Sequence, residues 1–148
     1  MRIYVPVQAA DIQAPPIPAS EGSELLVWGY DPADTLTVIS SPRSGTERLT
    51  EIGGYVVVEP GTNVTVPISY SLPPGIVRQI GQNTYEYRLL VQRQPGAPNE
   101  PVDVFLKLPE GGAMVSSSPA PAAADGDWLR YTLTLDADQL ITLQYRAG

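Results

Sequence analysis

Residues 84–109, TYEYRLLVQRQPGAPNEPVDVFLKLP, hold two runs of alternating apolar and polar side chains on either side of a segment rich in proline and glycine. In the first run Tyr85, Tyr87, Leu89 and Val91 fall on one face, and Glu86, Arg88, Leu90 and Gln92 on the other. In the second, Val102, Val104, Leu106 and Leu108 share a face opposite Asp103, Phe105 and Lys107. Successive side chains of a strand point to opposite sides, so each run describes a strand with one face toward a core and one toward water. The direct way to join them is a hairpin whose turn includes Gln94, Pro95 and Gly96. A connection of this length also allows the strands to cross between sheets instead of pairing.

The same pattern continues toward the C-terminus. Asp125-Gly126 is a two-residue hairpin signal. After it, Leu129, Tyr131, Leu133 and Leu135 alternate with Arg130, Thr132 and Thr134. Asp136 and Asp138 bracket a turn, and Ile141, Leu143 and Tyr145 form the inward face of a last strand. Residues 114–118 read as a short strand and residues 119–124, PAPAAA, as a loop because two prolines interrupt them.

Toward the N-terminus, residues 2–8 alternate, with Ile3, Val5 and Val7 on one face. Pro6 has no N–H to give to a ladder, which predicts an edge strand. Residues 9–22, AADIQAPPIPASEG, read as a long proline-rich surface loop. Further strands are expected over residues 23–30, 35–40, 47–59 (broken at Gly53-Gly54) and 63–72, where Val64, Val66, Ile68, Tyr70 and Leu72 share a face. Residues 76–83 are ambiguous.

No stretch sustains a helical period. About nine to eleven short strands, spaced about 8–12 residues apart, predict an all-β, antiparallel, immunoglobulin-like β-sandwich. The 148 residues read as a single domain over 1–148.

Composition removes most chemistry. The chain has no cysteine and no histidine, which takes away disulfides, thiolate nucleophiles, the usual general base and the commonest zinc ligand. Gly53-Gly54 and Gly111-Gly112 lack the lysine and helix of a phosphate loop. No catalytic residue and no cofactor is therefore assigned, and the chain reads as a non-enzyme. Sixteen acidic residues against nine basic give a net charge of −7 with no basic cluster, which argues against nucleic acid and anionic membrane surfaces as partners. No apolar run nears the roughly 20 residues of a membrane-spanning helix, so no membrane insertion by this segment is expected. The opening MRIYVPVQ has the pattern of a strand and not of a signal peptide, the expectation for Met1 as an expression start on an excised domain.

Four features are candidates for function. Asp125 with Asp127, and Asp136 with Asp138, could supply oxygen ligands to calcium; turn formation through side-chain hydrogen bonds is the favoured reading. Lys107 is the only lysine. It could crosslink to an Asn or Asp if buried, but it shares a face with Asp103 and is expected in solvent. Asn63-Val64-Thr65 matches an N-glycosylation sequon, a pattern frequent by chance. Tyr70, Tyr85, Tyr87, Tyr131 and Tyr145 are in phase with core faces, and Trp28 lies in a run apolar on both faces, so all are expected in the core. Phe105 and Trp128 are out of phase with the apolar faces of their strands. Either they form a surface patch for glycan or protein contact, or the strand is buried on both faces, or another segment covers them. Covering is the favoured reading.

The phrases YRLLVQRQPG, VDVFLKLP, VSSSPAP and YTLTLDADQLITLQY together resemble the C-terminal region of a bacterial family, the one catalogued as domain of unknown function 4012. GGYVVVEPG, VTVPISYSLP and RIYVP fit the same region, and residues 9–22 lie outside the likeness. Leu-Leu-x-Gln-x-Gln-Pro-Gly is its distinctive part; the other phrases are common to β domains. The resemblance implies a large protein with an N-terminal membrane anchor, this chain being its outermost, extracytoplasmic β-sandwich. It lends neither catalytic residues nor a cofactor. The resulting expectation is a structural or adhesive module at a bacterial cell surface. The rival readings are a carbohydrate-binding module with Trp128 or Phe105 coplanar with a second ring, and a subunit of an extracellular filament or surface layer.

Overall fold

The computed structural model describes residues 2–14, 27, 29, 37–39, 49–53, 56, 58, 60–93, 96, 99 and 101–148. Trp28, most of the strand expected around it, and residues 15–22 of the proline-rich loop lie outside the described residues. The chain is all-β, antiparallel and sandwich-like. It divides into two compact units, Met1–Pro73 and Pro74–Gly148, where the sequence reads as one domain.

The first unit contains β1 (Arg2–Pro6), β2 (Ala10–Gln13), β3 (Thr37–Ile39), β4 (Leu49–Gly53) and β5 (Ser69–Ser71). One sheet has the order β1-β4-β3, which puts β1 and its terminal Pro6 at an edge, as the missing N–H requires. Val5 and Ile52 are fully buried between Ile3, Ala9, Ile12, Ala14, Val66 and Ile68. Two expectations change. Residues 10–13, read as loop, form β2 and pair with β5 across a register shift, where Asp11 takes a φ of 52°. Of the strand expected over residues 63–72 only Ser69–Ser71 forms. Pro67 cannot donate to a ladder, so the preceding residues bury Val66 and Ile68 without pairing, and Val64 and Tyr70 are left exposed.

The second unit follows a 3-10 turn at Pro74–Ile76. It comprises β6 (Val77–Gly81), β7 (Thr84–Val91), β8 (Pro101–Lys107), β9 (Ala113–Ser118), β10 (Ala123–Asp125), β11 (Trp128–Thr134) and β12 (Gln139–Arg146). They form a four-stranded sheet, β6-β7-β12-β9, and a three-stranded sheet, β10-β11-β8. The inner faces meet through Leu108, Leu129, Tyr131 and Leu133 on one side and Ile141 and Leu143 on the other, flanked by Leu89, Val91, Val104, Leu106 and Tyr145. Each fully buried aliphatic here is worth roughly 1.5–3 kcal/mol over exposure. The four-plus-three division is that of an immunoglobulin constant-type sandwich. The pairing is this chain's own, with the fifth strand joining the three-stranded sheet and the last the four-stranded one.

The two strands of residues 84–109 do not form a hairpin. β7 pairs with β6 and β12, β8 pairs with β11, and the connection between β7 and β8 carries the chain from one sheet to the other. Both alternations keep their inward phase, so the stretch contributes one wall to each side of the core. The residues between β7 and β8 are long enough for this because a sandwich needs only about 10 Å between its sheets.

Candidate surface-contact site

The outer face of the three-stranded sheet carries the residues of interest. Strict alternation on β11 buries Leu129, Tyr131 and Leu133 and turns Trp128, Arg130 and Thr132 outward. The antiparallel register sets Trp128 opposite Lys107, Arg130 opposite Phe105, and Thr132 opposite Asp103. On the other side of β11, Asp125 lies opposite Trp128 and Ala123 opposite Arg130. Directly opposed residues share a face and touch.

Phe105 and Trp128 are 57% and 45% exposed, so the covering favoured on the sequence is not what the structure shows. The reason is local. The Lys107 ammonium lies 5.6 Å from the centroid of the Trp128 ring, and the Arg130 guanidinium 5.7 Å from that of Phe105. A cation over an aromatic face is attracted by the ring quadrupole and shields part of the ring from water. The sheet thus tolerates outward rings by pairing each with a cation from the adjacent strand. Each ring lies directly across from its cation, which makes the two rings diagonal neighbours on the sheet.

Each cation is also held by a carboxylate. Arg130 makes a forked pair with Asp103, Nε to Oδ1 at 3.2 Å and Nη2 to Oδ2 at 3.0 Å. The Thr132 hydroxyl donates to the same Oδ1 at 2.8 Å. These bonds to Arg130 and then Thr132 hold the Asp103 carboxyl below its ordinary value, and Asp103 in turn raises Arg130. Lys107 lies 3.6 Å from Asp127, with more than half of its side chain in solvent, as expected for that position.

The acid pairs lie at strand ends and in the turns between strands. β10 and β11 join through Gly126 and Asp127, one residue later than the Asp125-Gly126 signal suggests. Only Gly126 has a positive φ, 58°, the pattern of a type II′ hairpin turn. The Asp127 carbonyl accepts from the Leu108 N–H at 2.8 Å, fixing the end of β8 to this turn. Asp138 accepts from the Arg93 N–H at 2.8 Å, and Asp136 from the Gln139 amide at 3.4 Å. Among the described residues no three His, Cys, Asp or Glu side chains converge as metal ligands.

Between the β10 edge and the rings is an open depression of about 610 Å³ lined by Phe105, Ala123, Asp125, Trp128 and Arg130. Its lining was only half legible: the out-of-phase rings were visible in the alternation, but residues 123–125 were read as loop and turn and so placed no side chains on this sheet. No family model matches the chain, nor does any curated protein or solved structure.

Proposed function

We propose that the chain is a non-catalytic structural or adhesive β-sandwich module of a bacterial cell-surface protein, and that the outer face of β8 and β11 is where it meets a protein partner. The observation that carries this is the concentration of Phe105, Trp128 and Arg130 on one exposed sheet face. Aromatic side chains and arginine are enriched where proteins bind, because they bring large contact area at low entropic cost. The absence of histidine and cysteine from the sequence supports a role without catalysis. The resemblance carried by LLVQRQPG supports an extracytoplasmic position beyond a membrane anchor.

Location is tested through Lys107. A membrane-impermeant amine reagent is applied to intact cells making the full-length protein, and the peptide containing Lys107 is isolated. The expected result is modification without lysis; modification only after lysis sinks the surface reading. A carbohydrate-binding module is the second reading, favoured by the exposure of both rings. Against it, stacking on a sugar needs an open ring face, and Lys107 and Arg130 each lie over one.

A further inference from the structure

We propose that the depression beside β10 receives a basic side chain, lysine or arginine, of a partner protein. The inference deepens the surface-contact reading and rests on it. Two observations point to a cation. First, Asp125 lines the depression and has no hydrogen-bond or ion-pair partner among the described residues. The neighbouring carboxylates differ: Asp103 is bonded to Arg130 and Thr132, and Asp127 is paired with Lys107. Second, the rest of the lining is Phe105, Trp128, Ala123 and Arg130, and the charge of Arg130 is already met by Asp103, which leaves Asp125 the one lining charge without a partner among the described residues.

The two resident cations are each held by a carboxylate other than Asp125. Arg130 lies opposite Ala123 and lines the depression, but its guanidinium is drawn to the β8 side, over Phe105 and into the fork with Asp103. Lys107 projects from β8 and is held by Asp127 in the turn. A carboxylate without a partner among the described residues, beside an indole and with Lys107 and Arg130 held by other carboxylates, is a setting for an incoming ammonium or guanidinium. The carboxylate supplies charge, and the apolar ring area that borders the depression accepts the apolar stem of the side chain. A net charge of −7 favours the approach of a basic partner and opposes docking of a second copy of the same chain.

The probes are short blocked peptides with a central arginine or lysine, and one with glutamine as neutral control. Binding is followed by the indole N–H resonance of Trp128, assigned with Trp128→Phe. The expected result is a saturable shift with both basic peptides and none with glutamine, weakened by salt. Asp125→Asn should weaken binding about fivefold, the size of a single exposed charge contact. Asp125 is exposed and has no partner among the described residues, so this variant leaves the fold in place, which the unchanged remainder of the spectrum verifies. No saturable shift, or equal shifts with glutamine or in Asp125→Asn, overturns the inference. If that happens while Phe105→Ser with Trp128→Ser still abolishes adhesion of cells bearing the full-length protein, the contact face stands and only its preference for a basic side chain falls.

Discussion

The two faces of β11 and β8 are built from the same strands and answer to different forces. Inward, Leu129, Tyr131 and Leu133 meet Val104 and Leu106 and the opposite sheet, and their worth comes from leaving water. Outward, Trp128, Arg130 and Thr132 meet Lys107, Phe105 and Asp103 in pairs that remain solvated. Stability is thus concentrated on one face, and the other is free to be specified by something else. A face whose changes cost little in folding is the one on which a binding surface can be altered without loss of the domain.

The largest expected effect tests the inner side of this contrast. Leu129→Ala should cost about 2–5 kcal/mol in denaturant unfolding, since the rigid sheet around it collapses only partly. A cost below that of the outer-face variants would break the comparison. Tyr131→Phe comes next. The Tyr131 hydroxyl lies 2.8 Å from Ser117 Oγ, and Ser117 spends its own proton on the Pro119 carbonyl, so Tyr131 is the donor. This bond ties β11 to β9 across the core, and its removal should cost about 1 kcal/mol. Trp128→Ala should cost at most about 1 kcal/mol, the scale of a cross-strand pair and an exposed cation–π contact.

The smallest effect is in acid. The folded Asp103 carboxyl titrates below its ordinary 3.8, so its contribution to stability is present above that pH and is lost as pH falls from there through the lowered folded value. Carboxyl NMR titration should show that Arg130→Gln raises the Asp103 pKa toward 3.8 while the unfolding midpoint at neutral pH barely moves. A large loss of stability at neutral pH would show the outer pairs to be structural after all.

How much of this was readable in advance follows from what alternation encodes. It fixes which side chains of a half-buried strand face inward, and it did so for β7, β8, β11 and β12. It carries no information on which strand lies alongside. Residues 84–109 therefore left a hairpin and a crossing between sheets both open, and their two strands belong to opposite sheets. Phe105 and Trp128 were correctly phased outward, but their apolar character argued for a cover. What offsets their exposure is a cation on the neighbouring strand, set by a register that the sequence does not display. β10 was missed because its Ala-Ala-Asp has little strand propensity; the turn at Gly126 and Asp127 imposes the pairing.

The order of the four-stranded sheet has a mechanical consequence. β7 is antiparallel to both β6 and β12, so β6 and β12 run in the same direction. The chain enters β6 at Val77, level with Tyr87, and leaves β12 at Arg146, beside Thr84 at the far end. Tension carried along the backbone through this unit therefore slides β6 and β12 lengthwise against β7. The ladder bonds stand across that pull and must stretch together instead of parting one after another. Pulled through these strands, the sheet is loaded in shear, the geometry in which a small sheet bears force best.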